Sequence, residues 1–301
     1  MTNDRIYKMI TLLVFLMGSL PRKTLNTISD RLGLLWFFID KRHRNIVLEN
    51  VDRAYPGKFT TPQLEVFAKK IFKNLASIIF EVAWSQRLTN DQLQKYIRIK
   101  GFKNLTKGHK KGRGVIVLTC HMSNFELMTT SLLNTDYQGF CLYRKLDFEP
   151  LDKWVHYSRQ RYGIKMIPLR GASKKIVAIL KQEGIVATLL DQNVGWYEGV
   201  WVNFFNRPAC TNSRLAALAM KTGAPVVPLF ARRVGENYIL EFLPEVPVQV
   251  TGDRIKDIEI NTQNFTMAVE SMVRRCPEQY FWVHNRWKSK PYSLLPSKQI
   301  H

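Results

Sequence analysis

Two hydrophobic periods divide this chain. From Thr61-Pro62-Gln63 to about Trp84, the residues Leu64, Phe67, Ala68, Ile71, Leu75, Ile78, Ile79 and Val82 recur at three- and four-residue steps. That spacing predicts one long amphipathic helix. From residue 115 onward the pattern becomes short apolar runs between polar turns. Residues 115–118 (VIVL), 139–143 (GFCLY), 164–168, 185–190 (IVATLL) and 225–230 (PVVPLF) read as strands, with 238–243 as an edge strand. Helical stretches alternate with them at 149–162, 173–181 and 211–222. The alternation predicts an α/β fold on a mixed, mostly parallel β-sheet flanked by helices.

The first forty residues follow neither period. Residues 9–20 are apolar, but twelve helical residues reach only about 18 Å, short of a bilayer core of about 30 Å. A second apolar stretch, 31–39 (RLGLLWFFI), carries Trp36, Phe37 and Phe38. Basic residues flank both: Arg5, Lys8, Arg22, Lys23, Lys41, Arg42 and Arg44. Residues 1–40 therefore read as a helical membrane anchor that spans the bilayer or lies in its interface, ahead of a catalytic domain over 41–301. The competing reading is a pair of core helices beneath the main domain. As a signal peptide the segment is poor, because Leu20 would occupy a small-residue cleavage position.

A hydrophobic content of 46% and an aromatic content of 12% are globular values, too low for a polytopic membrane protein. Charge is the outlier: 45 Lys and Arg against 24 Asp and Glu give +21. Such an excess calls for an anionic partner, either nucleic acid or phosphate-bearing lipid. No helix-turn-helix, zinc spacing or RNP-like motif accompanies it, so nucleic acid is not expected. Cys120, Cys141, Cys210 and Cys276 lie far apart and read as reduced thiols without disulfide or zinc.

The chemistry concentrates where the run 115–118 ends. After Thr119-Cys120 comes His121, then Met122-Ser123-Asn124 and a helix-compatible stretch from Phe125. A strand, a polar turn and a helix start put His121 at a strand's carboxyl end, where open α/β sheets bind ligands. Glu126 follows at H-x4-E spacing. Five helical residues turn about 140°, so the two meet only if His121 sits in the turn, with Ser123 or Asn124 capping the helix. Glu126 would then accept one ring N–H and leave the other nitrogen free to take a proton. With no serine or cysteine nucleophile at motif spacing, the pair suits activation of an incoming hydroxyl.

Four blocks carry a resemblance: VIVLTCHMSNFEL at 115–127, Leu142-Tyr143-Arg144, Asp191-Gln192-Asn193 with FFNRPA at 204–209, and QYFWVHNRWK at 279–288 followed by Pro291. The chain resembles the bacterial lipid A late acyltransferases, within the H-x4-D/E glycerolipid acyltransferase superfamily. The resemblance implies transfer of a fatty acyl chain from an acyl thioester to a hydroxyl of a lipid A precursor, with His121 and Glu126 catalytic. Asn124, Arg144, Asp191, Gln192 and Arg286 become candidate substrate-binding residues. Asn206 stands where the family commonly has Gly, and Asn193 where it more often has an acid. The implied donor is acyl carrier protein, or otherwise a CoA thioester; the acceptor is an anionic glycolipid. No metal or cofactor is called for, and the implied location is the bacterial inner membrane, facing the cytoplasm. The alternatives are a CoA-dependent enzyme for another lysolipid or glycolipid, and a basic nucleic-acid-binding protein.

Overall fold

A computed structural model describes residues 2–290, so Pro291 of the last block lies outside the described residues. Four helices open the chain: α1 (Asn3–Gly18), α2 (Arg22–Ile39), α3 (Lys41–Ala54) and α4 (Thr61–Ser85). A short α5 (Asn90–Gln94), strand β1 (Ile97–Lys100) and helix α6 (Phe102–His109) lead to β2 (Val115–Thr119). Then follow β3 (Gly139–Tyr143), α7 (Glu149–Gln160), β4 (Lys165–Pro168), α8 (Ala172–Lys181) and β5 (Ile185–Leu189). A hairpin of β6 (Gly199–Phe204) and β7 (Arg207–Asn212) precedes α9 (Arg214–Thr222), β8 (Val226–Val234), β9 (Asn237–Phe242) and α10 (Arg254–Arg275).

Seven strands form one sheet in the order β1-β9-β8-β2-β5-β3-β4. Strands β8, β2, β5, β3 and β4 run parallel, and β9 pairs antiparallel with β8. The mixed, mostly parallel α/β fold read from the sequence is therefore present. Tyr238 and its neighbours are not at an edge, because β1 pairs on the far side of β9. Every residue of β2 is buried, as its unbroken apolar run requires of a central strand.

Helix α4 begins where Gln63 accepts the Thr60 N–H at 2.9 Å, a capping contact. It buries Ala68, Ile71 and Leu75 as the three-and-four spacing predicts, and Phe72 beside them, though Ile79 lies on the exposed side. Helix α2 packs along α4 through Leu25 and Phe37. At Gly33 a Cβ would stand 2.6 Å from the Lys73 Cα, so only glycine permits this approach. No helix of the described residues is long and apolar enough to cross a membrane. The outer faces of α1 and α2 nevertheless leave Leu12, Leu13, Leu16, Leu35, Phe38 and Ile39 more than half exposed.

Three local expectations change. The stretch after Asn124 is a 3-10 turn over Phe125–Thr130 with no side-chain cap from Asn124. Thr211 and Asn212 end β7, and the helix starts only at Arg214. The alternating Tyr280, Trp282 and His284 form no strand; Tyr280 makes a single antiparallel bridge to Met122, and Tyr280 and Trp282 are buried.

Candidate active site

Strands β2 and β5 pair in parallel with Thr119 opposite Leu189. Continuing that register two residues past both strand ends brings His121 beside Asp191. Leu190 N–H donates to the Thr119 carbonyl at 3.1 Å and carries the pairing past β5. The Asp191 carboxylate then takes two bonds from one residue. The His121 ring Nδ1 lies 2.9 Å from Oδ1, and the His121 backbone N–H donates to Oδ2 at 3.0 Å. A carboxylate on Nδ1 places the proton there and leaves Nε2 as a base.

The partner of His121 is thus Asp191 and not Glu126. Glu126 receives the guanidinium of Arg159 from α7, with Nε donating to Oε2 at 2.7 Å and Nη2 donating to Oε1. The reason lies in the backbone. Ser123 takes a left-handed φ of 52°, and the 3-10 turn that follows points Glu126 across to α7. Glu126 still adds its negative charge to the field at His121.

Burial works against a charged His121, but the Asp191 charge and hydrogen bond, then the Glu126 charge, outweigh it and raise the imidazole above its ordinary value. At Asp191 burial opposes ionisation likewise; the His121 charge and the hydrogen bonds win and hold the carboxyl below its usual range. Each partner stabilises the charged form of the other.

His121 stands at the mouth of a cavity of about 800 Å³ of empty space, mouth included. Phe125, Glu126 and Arg159 share the cavity with it, while Leu132, Ile164, Ile185, Leu229 and Phe242 give the lining its apolar character. It runs between one face of the sheet and the 3-10 turn, and its apolar lining suits a hydrocarbon chain. The ring of His121 packs edge-on to Phe125, with centroids 4.9 Å apart.

The other predicted residues fall in different places. Arg144 is exposed just beyond β3, at the same sheet edge as His121. Gln192 is exposed and lines a second cavity on the opposite sheet face. Asn124 is fully buried, and its Nδ2 donates to Glu81 Oε2 at 3.1 Å, so its amide faces inward and not toward the cavity. Arg286 is also buried, at 2% exposure. It donates to the Cys210 carbonyl at 2.9 Å and to Thr211 Oγ1, pinning β7. The carboxy-terminal block serves the site through its backbone: Phe281 N–H donates to the His121 carbonyl at 3.0 Å, and Ser123 N–H to that of Gln279 at 2.7 Å. His284 Nε2 accepts the Asn193 N–H at 2.7 Å and fixes the turn after Asp191.

Arg159, Glu81 and Arg233 were not singled out in the sequence. Each is one charged residue within an ordinary helix or strand, and no local signal marks its distant ion-pair partner. Among the described residues no three His, Cys, Asp or Glu side chains converge on a metal-sized site.

Comparison with known proteins extends over the same span. Residues 4–289 match the family model of bacterial lipid A biosynthesis acyltransferase. The chain is 25% identical over 289 residues to the lipid A biosynthesis palmitoleoyltransferase of Escherichia coli, covering 92% of this chain and 89% of that protein. It is 25% identical to the lipid A biosynthesis lauroyltransferase of the same organism, covering 95% and 92%. A lipid A biosynthesis acyltransferase of Haemophilus influenzae is 23% identical, covering 90% and 83%. With a family match along nearly its whole length, the chain belongs to the bacterial lipid A biosynthesis acyltransferases, and it is an O-acyltransferase.

Proposed function

We propose that this enzyme moves a fatty acyl chain from a thioester to a hydroxyl of a lipid A precursor, with His121 as general base. The observation that carries this is the free His121 Nε2 at the mouth of an apolar cavity, with Nδ1 held by Asp191. The donor's hydrocarbon chain fills the cavity and leaves its thioester carbonyl beside His121. The acceptor oxygen attacks that carbon as Nε2 removes its proton, and Asp191 stabilises the imidazolium. When the tetrahedral intermediate collapses, the C–S bond breaks and the proton passes from Nε2 to the leaving thiolate. Arg144 is the guanidinium left to meet the acceptor's phosphate or the developing oxyanion, since both Glu126 oxygens engage Arg159.

The donor is assigned as acyl carrier protein through the family resemblance, and a CoA thioester is the alternative. Initial rates with both donors and a panel of acceptor lipids separate them. His121→Ala should abolish transfer while melting near the wild type; a folded variant that transfers at near wild-type rate refutes the mechanism.

The membrane partner enters through α1 and α2. Helix α1 spans 16 residues, about 24 Å, so it suits lying in the interface better than crossing the bilayer. Its apolar side chains face outward among Arg5 and Lys8. Helix α1 also packs on α7, next to the exposed Phe148 and Arg144, which supports a docked orientation with the cavity mouth turned toward anionic lipid. That orientation fits an enzyme on the cytoplasmic face of the inner membrane.

A further inference from the structure

Next to the His121 loop lies a charged network that the mechanism above does not use. Glu81, on α4, is 6% exposed. One carboxylate oxygen accepts from Arg233 Nε, and the other accepts from Asn124 Nδ2 at 3.1 Å. Arg233, on β8, also donates through Nη1 to Asn74 Oδ1 at 2.7 Å and through Nη2 to Ser77 Oγ at 2.8 Å. Gln279 clasps the Arg233 backbone from both sides, accepting its N–H at 2.7 Å and donating to its carbonyl at 3.0 Å. The Gln279 carbonyl in turn accepts the Ser123 N–H at 2.7 Å. The two residues that follow His121 and Met122 are therefore tied by side chain and backbone to one part-buried ion pair.

A buried ion pair adds little net stability compared with apolar residues of the same volume, because desolvation offsets the attraction. What it supplies is geometric definition. Here the definition is needed: Ser123 holds a left-handed φ of 52°, a strained conformation outside glycine, and something must hold it there. We infer that Glu81 is a positioning residue for acyl transfer, acting through Asn124 to hold the His121 loop so that the imidazole stays seated on Asp191. Arg233 is the countercharge that meets Glu81 across this network.

This inference rests on His121 being the base, but its test can be read without that. The charged groups that face His121 are Asp191 beyond β5, Glu126 on the 3-10 turn and Arg159 on α7, with His284 of the carboxy-terminal segment nearby. None of them changes in a Glu81 variant. Loosening the loop should pull the ring from Asp191 and lower its titration midpoint. Following the six histidines by NMR, with His121→Ala to assign the signal, measures that directly.

In Glu81→Ala we expect the His121 midpoint to fall and kcat to drop about tenfold to a hundredfold, the scale of a misplacement near 1 Å, with KM little changed. Asn124→Ala leaves the Glu81–Arg233 pair intact and should give the same shifts; it carries the test if Glu81→Ala melts below the assay temperature. The double variant should lose no more kcat than the worse single one, since both cut one linkage. Ser77→Ala removes a contact to Arg233 away from the loop and should lower Tm without moving the His121 midpoint. Additive kcat losses, or an unmoved His121 midpoint in folded Asn124→Ala, would overturn the inference. So would an equal shift in Ser77→Ala. If His121→Ala still transfers, the general-base reading falls, while the NMR midpoints still decide whether Glu81 positions the ring.

Discussion

Asp191→Asn is the sharpest test of the site, because the carboxylate accepts two bonds from one residue. An amide has one oxygen, so it can accept either the His121 backbone N–H or the Nδ1 proton, and its NH₂ must face the other. The backbone N–H cannot give up its hydrogen, so the amide oxygen turns to it. The NH₂ then points at Nδ1 and makes it an acceptor. The imidazole proton moves to Nε2, where the lone pair is needed, and the base is lost. General-base assistance is worth about 10²–10⁴ in rate, and we expect a kcat loss in that range.

Stability should respond with a definite sign. His121 is raised in the folded state, so its contribution is full below the ordinary imidazole value of about 6.5 and is lost as pH rises through the folded value. Asp191 is lowered, so its contribution is full above about 3.9 and is lost as pH falls through the folded value. The pair therefore stabilises most between about pH 4 and 6.5. Breaking a buried pair costs about 3–5 kcal/mol, and the amide keeps one bond, so a loss of about 1–3 kcal/mol in that window is expected, shrinking at higher pH. Initial rates at saturating thioester and thermal melts across pH 4–9 measure both. A folded Asp191→Asn that turns over near the wild-type rate, or that loses less than Glu126→Gln, refutes the assignment of Asp191.

Three further outcomes follow from the same geometry. Arg144→Ala should lower turnover about 10²–10³-fold with an unchanged melt if it meets the oxyanion; near-normal turnover with a raised KM for the phosphorylated acceptor assigns it to binding instead. Ala187→Phe should fill part of the cavity and shift the donor preference toward shorter chains, and each methylene excluded is worth about 0.8 kcal/mol, or about fourfold in kcat/KM. An unchanged chain-length profile would show that the acyl chain lies elsewhere. Replacing Leu12, Leu13 and Leu16 by Glu, all more than half exposed, should weaken partition onto anionic vesicles at least about a hundredfold without altering the melt; equal partition would move the docking surface away from α1.

The sequence exposed what repeats locally and concealed what depends on distant neighbours. The strands β2, β3 and β5 were legible because their apolar runs are continuous, and α4 because its spacing is regular. The β6–β7 hairpin was not: it alternates weakly and carries Pro208. Nor was α10, whose buried apolar positions Phe265, Val269, Met272 and Val273 fall late in an otherwise polar stretch. At the site, the position of His121 after a strand was legible, while its hydrogen-bond partner was not. H-x4-E is a local spacing and Asp191 is not; the two meet through a parallel register that pairs Thr119 with Leu189 across seventy positions. Arg286 and Asn124 illustrate the same limit in reverse. Both are polar residues in recognisable blocks and invite a role in contacting substrate. Both are instead buried and bonded inward, where they hold β7 and the His121 loop. A block can therefore mark the scaffold of a site as firmly as its surface, because a buried charge must find its partners and so fixes the backbone around it.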